Sequence, residues 1–383
     1  MKQGDANIAC CLLFFAAAIF LASCATRQPH VAALSTGDSS LQDAGALVSD
    51  AHLDSSERDA FQAAQKVMPP VLEKVAVIPC GKQPKQVIFS PDSKRIVLPL
   101  LDDAGFEIIS LDEYVPVQKI APPRSSQKGF AEGLFIPEKS AFFVSQMTTG
   151  RIYEYSVPDF AYRREIATGG VWSKFMAWSA EKQLVAVSNW VSNDVSLIDY
   201  ESGTVVRTLK TKAAPRGLAF VENGNAIIVL CFDGGAVQKF STETNALLAS
   251  IAKEKSAMRH IAVNADETKA YVSDMYHAAV YEIDLASFAI ARTMSVFNNP
   301  NTIVLFQNRW LFVSSRGPNN RSDYTKRSPE NGRITIIDVD AWQTVHTFEG
   351  GNQPTGLDIS RDENYLCFSN FQDANIELYK IRE

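Results

Sequence analysis

The chain has 383 residues and a formal net charge of −6, with 37 basic and 43 acidic side chains. This acidic balance argues against a general nucleic-acid binder, which needs a basic surface to match the phosphate backbone. Six cysteines are present, but only Cys80, Cys231 and Cys367 lie beyond residue 24, and no CxxC occurs. That usage argues against a disulfide framework or a zinc site, and the absence of CxxCH excludes covalently attached c-type haem.

The first element is an apolar run from Ile8 to Leu21, preceded by a polar stretch that includes Lys2. The run is shorter than the ~20 residues of a membrane-spanning helix, and its length is typical of a signal peptide. Leu21-Ala22-Ser23-Cys24 follows directly and resembles the bacterial lipobox. We therefore expect a lipoprotein signal peptide over residues 1–23, with Cys24 carrying palmitate or a similar acyl chain as a membrane anchor. The alternatives are an ordinary signal peptide or an uncleaved anchor.

Residues 24–70 form the second region, which is rich in Ala, Ser, Gln and Asp and has no sustained period. This composition predicts a flexible tether. A capping pattern at Asp54 and Glu57 favours a short helix from Ser56 to Val67, ending before Pro69-Pro70. A loosely ordered stalk is the alternative.

From residue 71 to 383 the chain repeats. Apolar runs that end before a turn recur seven times with a spacing near 43 residues, at Phe89, Phe135, Trp178, Phe220, Val263, Leu305 and Ile359. Each unit reads as four short strands with no helical segment between them. This spacing predicts an all-β fold, a seven-bladed β-propeller of four-stranded blades.

Closure of the ring is also predicted. The last unit has three clear strands, whereas Val71 to Pro79 reads as a strand that precedes the first unit. We expect this N-terminal strand to complete the seventh blade and so remove an exposed sheet edge.

The segment Ala186 to Leu209 carries a V-S-N strand end, then VSLID, then GTVVRTL, and resembles the YVTN-type β-propeller repeat family. The units with Tyr271 to Asp274 and Ile334 to Asp340 are similar to the same repeat. The resemblance covers roughly Leu72 to Glu383. It implies the propeller fold and leaves activity open, because this fold hosts unrelated functions.

One propeller face is expected to carry the function. The position four residues before each run end falls in the loop that enters a blade, and in four of seven units it is cationic, at Lys85, Lys174, Arg216 and Arg259. The sixth unit also has an insertion on this face, residues 316–333, which includes Arg316 and Arg321 and has a net charge of +3 from five basic and two acidic residues. Clustered cations attract anions, so we predict a basic mouth that binds an anionic ligand or partner. The alternatives are solvated loop charges and a mobile surface loop.

A second set of polar side chains ends the second strand of each unit, and Asn189, Asp274 and Asn370 are candidates for ligand binding. The alternative for them is turn chemistry, since Asn and Asp favour such positions regardless of a ligand. His260, Asp274 and His277 are weak metal candidates.

The leading functional expectation is a monomeric, lipid-anchored binding protein of the cell envelope, without cofactor. One alternative is a lactonase-like hydrolase with a divalent cation held by Glu132, Asn189, Asn301 and Asp274. The other is a scaffold of an envelope assembly, which a broad apolar patch would favour.

Overall fold

The structure, a computed structural model, describes residues 68–123, 128–323 and 326–382. The chain divides into two units, Met1–Lys66 and Val67–Glu383, and the described residues belong to the second. The predicted signal peptide, Cys24, the tether and its short helix lie outside the described residues. Within the described part of the chain, no helix is long and apolar enough to cross a membrane.

The second unit consists of seven four-stranded antiparallel sheets, the blades of a β-propeller. Blade 1 contains β2 (Ile88–Phe89), β3 (Arg95–Pro99), β4 (Phe106–Ser110) and β5 (Val115–Ile120). Blade 2 contains β6 (Phe130–Ile136), β7 (Ala141–Gln146), β8 (Arg151–Ser156) and β9 (Tyr162–Ala167), with a 3₁₀ turn at Pro137–Lys139. Blade 3 contains β10 (Ser173–Ser179), β11 (Leu184–Asn189), β12 (Asp194–Asp199) and β13 (Val205–Lys210). Blade 4 contains β14 (Pro215–Val221), β15 (Ala226–Cys231), β16 (Ala236–Ser241) and β17 (Leu247–Ala252). Blade 5 contains β18 (Met258–Val263), β19 (Lys269–Asp274), β20 (Ala279–Asp284) and β21 (Ala289–Ser295). Blade 6 contains β22 (Pro300–Phe306), β23 (Trp310–Ser315), β24 (Arg333–Asp338) and β25 (Gln343–Glu349). Blade 7 contains β26 (Pro354–Ile359), β27 (Tyr365–Asn370), β28 (Asn375–Arg382) and β1 (Val71–Pro79). The predicted seven-bladed architecture is confirmed.

The second strand of each blade is buried on both faces, and most of its residues are apolar, as in AIIVLC of β15. Outer strands such as β13 expose nearly every residue. Neighbouring blades pack face to face, so Phe106 of blade 1 lies 5.1 Å from Phe142 of blade 2 between ring centroids. Cys231 and Cys367 are buried free thiols in such apolar layers, and Cys80 is a half-buried one.

The ring is closed by β1, as predicted. It pairs antiparallel with β28 from Val71↔Arg382 to Pro79↔Asn375, with one bulge at Lys74/Ala76. The Lys74 ammonium lies 2.5 Å from the Glu377 carboxylate, and this pair ties the two ends of the unit together beside the ladder. Closing the blade in this way removes the edge that β28 would otherwise expose.

Two faces of the ring follow from this topology. Loops that join the outermost strand of one blade to the innermost strand of the next emerge on the same face as loops between second and third strands. We call this the mouth face. The turns between first and second strands lie on the opposite face.

Candidate functional site

The innermost strands of six blades carry the same break in their hydrogen-bond ladder. In β18, for example, Met258 pairs with Asp274, and pairing resumes only at Ile261 with Val272. Two residues per blade therefore leave the ladder next to the propeller axis, and bulges of this kind redirect side chains at functional sites. In those six blades the first of these two residues is Ala131, Lys174, Arg216, Arg259, Asn301 or Thr355. Lys85 is the equivalent position in blade 1, where it follows the bridge from Pro84 to Leu100.

These are the positions that the sequence placed in loops, and the structure corrects that placement for all of them except Lys85. Lys174, Arg216 and Arg259 lie inside β10, β14 and β18, and Lys85 follows a lone bridge from Pro84 to Leu100. Arg216 is only 2% exposed and Arg259 only 6%. They are not solvated loop charges, because the bulge turns them inward instead of letting them extend into water.

A serine near the end of the second strand holds each of several bulges. In blade 2 the Ser145 hydroxyl accepts the Glu132 N–H at 3.2 Å and donates to the Lys174 carbonyl of blade 3 at 2.7 Å. In blade 5 Ser273 makes the same pair of contacts with His260 and Asn301 at 3.1 and 2.8 Å. The hydroxyl thus satisfies backbone groups that the bulge removes from the ladder, and it links one blade to the next.

The cations of the mouth are close enough to repel one another. Burial, together with Arg259, Arg316, Arg216 and Lys174, lowers the pKa of Lys85 well below its usual value. We call these five side chains the mouth cations. The Glu132 carboxylate forms an ion pair with Arg216, but no carboxylate forms an ion pair with Lys85, Lys174 or Arg259 within the described residues. The mouth therefore has a net positive charge.

Arg216 and Arg259 each bury a guanidinium nitrogen that has no partner. Nη1 of Arg216 and Nη1 of Arg259 have no hydrogen-bond acceptor among the described residues. Burial lowers the pKa of Arg259 to about 10, so this side chain stays charged at neutral pH. Unpaired buried cations are unfavourable, and such groups mark functional sites.

His260 lies beside these arginines. Its ring packs edge-on against Phe175 with centroids 5.3 Å apart, and the Arg216 guanidinium lies 5.7 Å from the same phenyl ring. Burial, with the charges of Arg259 and Arg216, lowers the pKa of His260 to about 3. The imidazole is therefore neutral and adds no charge to the mouth.

Lys174 lies against aromatic rings. Its ammonium is 3.6 Å from the Trp190 centroid and 5.5 Å from that of Trp172, distances at which cation–π attraction operates. Burial and repulsion from Arg259 lower the pKa of Lys174 to about 7, while Asp233 raises it. Its charge therefore changes near neutral pH.

The polar residues at the ends of the second strands behave differently. Asn189 accepts the Ser173 hydroxyl at 2.8 Å and donates to Asp194 and Ser196, each at 2.9 Å. Asn370 donates to Glu377 at 2.9 Å. These side chains are buried and bonded within their own blades, which agrees with the alternative of turn chemistry.

Asp274 and the two histidines do not form a metal site. Asp274 contacts His277 at 2.7 Å and accepts the Tyr281 hydroxyl at 2.8 Å. Across the described residues no three His, Cys, Asp or Glu side chains come together as metal ligands. Three members of the oxygen set of the hydrolase alternative are likewise engaged: Asn189 and Asp274 within their blades, and Glu132 with Arg216.

The insertion lies between β23 and β24, as predicted, and contacts blade 7. The Arg327 guanidinium pairs with Asp373, and the Ser328 N–H donates to Asn352 at 3.0 Å. Arg316, at the start of the insertion, lies over Phe371 at 5.0 Å, whereas Arg321 is exposed. Only Arg316 joins the mouth cations. Residues 324–325 lie outside the described part.

One ring of residues was missed at the sequence level. The residue after the second-strand end donates its N–H to the carbonyl of the preceding blade-entry loop in all seven blades, at 2.9–3.1 Å. Six of these residues are apolar, and we call them the collar: Leu101, Met147, Trp190, Phe232, Met275 and Phe371. Arg316 occupies the seventh position. The signal was present in the sequence, one residue beyond the strand-end polar positions.

The collar contacts the mouth cations directly. The Lys85 ammonium lies 5.2 Å from the centroid of Phe371, and the rings of Trp190 and Phe232 lie 5.0 Å apart. Collar side chains are half-buried, except for the buried Phe371. The mouth thus has cations at the axis and apolar side chains beside them.

A cleft of about 340 Å³ lies on the opposite face, between blades 4 and 5. Glu222, Glu267 and Asp284 line it together with Lys239. None of these side chains is a buried group without a partner, so the mouth remains the stronger candidate.

Comparison with known proteins gives one family relationship. No protein-family model matches the chain, so the likeness to YVTN repeats stays a prediction. The chain is 33% identical over 311 residues to antigen Lp49 of Leptospira interrogans, an alignment that covers 78% of this chain and 68% of that protein. At this identity and coverage, the chain belongs to the family of antigen Lp49.

Proposed function

We propose that the propeller binds an anionic ligand in its mouth. The observation that supports this most is Arg259, which is 94% buried and has no carboxylate partner among the described residues, with one guanidinium nitrogen unpaired. Burying a cation without a counter-charge costs several kcal/mol. A site that gathers basic side chains around the unpaired Arg259 is suited to a ligand that supplies negative charge.

Sulfate is the simplest probe, because its charge is constant near neutral pH. We expect calorimetric titration with sulfate to give a binding heat that weakens as sodium chloride is added, since salt screens the attraction. Arg259→Met should weaken binding about fivefold or more. It should not lower the melting temperature, since a buried unpaired charge is replaced by an apolar side chain of similar length.

Arg361→Met is the matched control. Arg361 is an exposed arginine in a turn on the opposite face, and its loss should leave sulfate binding unchanged. Equal affinities of the wild type and Arg259→Met, with no salt dependence, would show that the mouth is not the anion site.

We also propose that the propeller is held at the cell envelope by lipid on Cys24. The lipobox-like segment Leu21 to Cys24 supports this anchoring. The similar protein antigen Lp49 is named as an antigen, which supports exposure at a cell surface. Cys24→Ser should abolish labelling by a fatty-acid analogue and release the protein from the membrane fraction. Retained labelling in this variant would refute the assignment.

The scaffold alternative draws support from the outer strands of blades 3 and 4. Four apolar side chains there are 36–52% exposed, Val205, Val206, Leu247 and Leu248. Such a surface on the rim does not compete with a ligand in the mouth, so both roles are compatible with one propeller.

A further inference from the structure

We infer that the ligand of the mouth is an amphiphilic organic anion, with an acidic head group and an apolar body. This inference rests on the proposed anion binding and adds the nature of the rest of the ligand. Binding an amphiphilic ligand requires an apolar surface beside the cations, and the collar is such a surface.

The collar is built by backbone geometry and not by chance exposure. In every blade the same N–H to carbonyl bond fixes the residue after the second strand beside the blade-entry loop. In six blades the residue that supplies the carbonyl has a positive φ, as at Trp172, Ala214 and Gln353. A backbone repeated this closely places seven side chains at one level around the axis, and six of them are apolar.

Two collar side chains touch mouth cations, and a third lies beside the innermost strand of blade 6. Trp190 is in contact with Lys174, Phe371 is in contact with Lys85, and Met275 Sδ lies 3.9 Å from the Asn301 amide nitrogen. A ligand held by the mouth cations would therefore lie beside these apolar groups. A small inorganic anion would leave them in water.

The two levels also differ in depth, which orients the ligand. Arg216 and Arg259 are at most 6% exposed, whereas Trp190, Phe232 and Met275 remain half-buried. The head group would lie deep at the arginines, and the body would cover the collar. Covering half-exposed apolar surface is favourable in proportion to its area.

Acetate, hexanoate and hexanamide separate the two contributions. Hexanoate differs from acetate in the length of its apolar chain and from hexanamide in its charge. In calorimetric titrations of the full propeller we expect hexanoate to bind about tenfold or more tightly than acetate, because four added carbons cover the collar. Hexanamide, which has no charge, should not bind measurably.

Trp190→Ser should reduce the preference for hexanoate over acetate at least threefold, because it removes apolar surface of the collar. Leu247→Ser is the matched control, since it removes an exposed apolar side chain on the outer strand β17 and should preserve the preference. If Trp190→Ser does not fold, Phe232→Ser tests the same collar from blade 4.

The outcomes distinguish the two proposals. Equal binding of acetate and hexanoate, both weakened by Arg259→Met, would overturn the amphiphilic ligand and keep the anion site. If hexanamide binds as tightly as hexanoate, the amphiphilic anion is also overturned, because the cations would then play no part in binding. If Arg259→Met binds acetate and hexanoate as tightly as the wild type does, the anion site itself would be overturned.

Discussion

Two sets of polar side chains face the mouth side of this propeller, and they differ in how their hydrogen bonds are satisfied. Asn189, Asp274 and Asn370 end second strands and are fully bonded within their own blades. Arg216 and Arg259, in the bulges of the innermost strands, are as deeply buried yet retain unpaired nitrogens. Burial alone therefore does not mark a binding residue. In the mouth, the guanidinium nitrogens that are left without a partner distinguish the candidate binding residues.

The sharpest test of this comparison is Asp274→Ala. Its carboxylate accepts the Ala257 N–H at 2.8 Å and the Tyr281 hydroxyl at 2.8 Å, and it contacts His277. Removing it leaves these groups buried without an acceptor, so we expect the free energy of unfolding to fall by about 3 kcal/mol. Chemical denaturation measures this loss. Sulfate affinity, measured where the variant is folded, should not change.

Asp274→Asn is the milder counterpart, because it keeps one acceptor oxygen, and it should cost about 1 kcal/mol. If Asp274→Ala keeps wild-type stability but binds anions more weakly, the strand-end residues would be the binding residues and the comparison with the bulge arginines would be reversed.

Glu132→Gln tests the mouth side of the comparison. Glu132 neutralises Arg216, so its loss increases the positive charge seen by a ligand, and we expect sulfate affinity to rise about fivefold at low salt. The melting temperature should fall, since the ion pair with Arg216 is lost. Calorimetry and thermal melting measure the two effects. Weaker sulfate binding would mean that Glu132 serves to position Arg216 for the ligand.

The smallest expected effect is the pH dependence contributed by Lys174. Because its pKa is about 7, it is mostly charged at pH 6 and mostly neutral at pH 8.5. Sulfate affinity should fall about threefold over this range. His260, with a pKa of about 3, stays neutral throughout and does not contribute. The same titration in Lys174→Met should show a smaller fall, and an equal one would assign the effect to another group.

Stability should change in the opposite direction. Between pH 7 and about 10.4 the unfolded chain keeps a proton on Lys174 that the folded chain has lost, so the free energy of unfolding rises with pH in this window. Lys174→Met should remove this contribution.

The sequence was sufficient for the architecture because the fold repeats. Run ends such as Phe220 and Val263 recur with each blade, and they end innermost strands or lie within one residue of the end. The closing strand from Val71 to Pro79 was predicted with its observed bounds. Periodic apolar patterning encodes strand positions directly, and a ring of identical units leaves few alternatives.

The site was predicted only in part. Equivalent cations could be aligned from the sequence, but the bulge that buries Arg216 and Arg259 is a break in pairing, which residue type does not report. The bonding of Asn189 and Asp274 depends on partners such as Ser173 and Ala257, which lie 16 and 17 residues away along the chain. Whether a polar residue is satisfied is a property of the assembled blade.

The pairing of β1 with β28 also determines how the propeller responds to mechanical force. Val71 and Arg382 are paired neighbours on the face away from the mouth. Tension between these two ends would peel the ladder open one hydrogen bond at a time. Tension between Val71 and a ligand held in the mouth would instead run along β1 and shear many of its bonds together, because ladder bonds lie perpendicular to the strands. A propeller tethered at Val71 and loaded through its mouth would therefore be pulled in its more resistant direction.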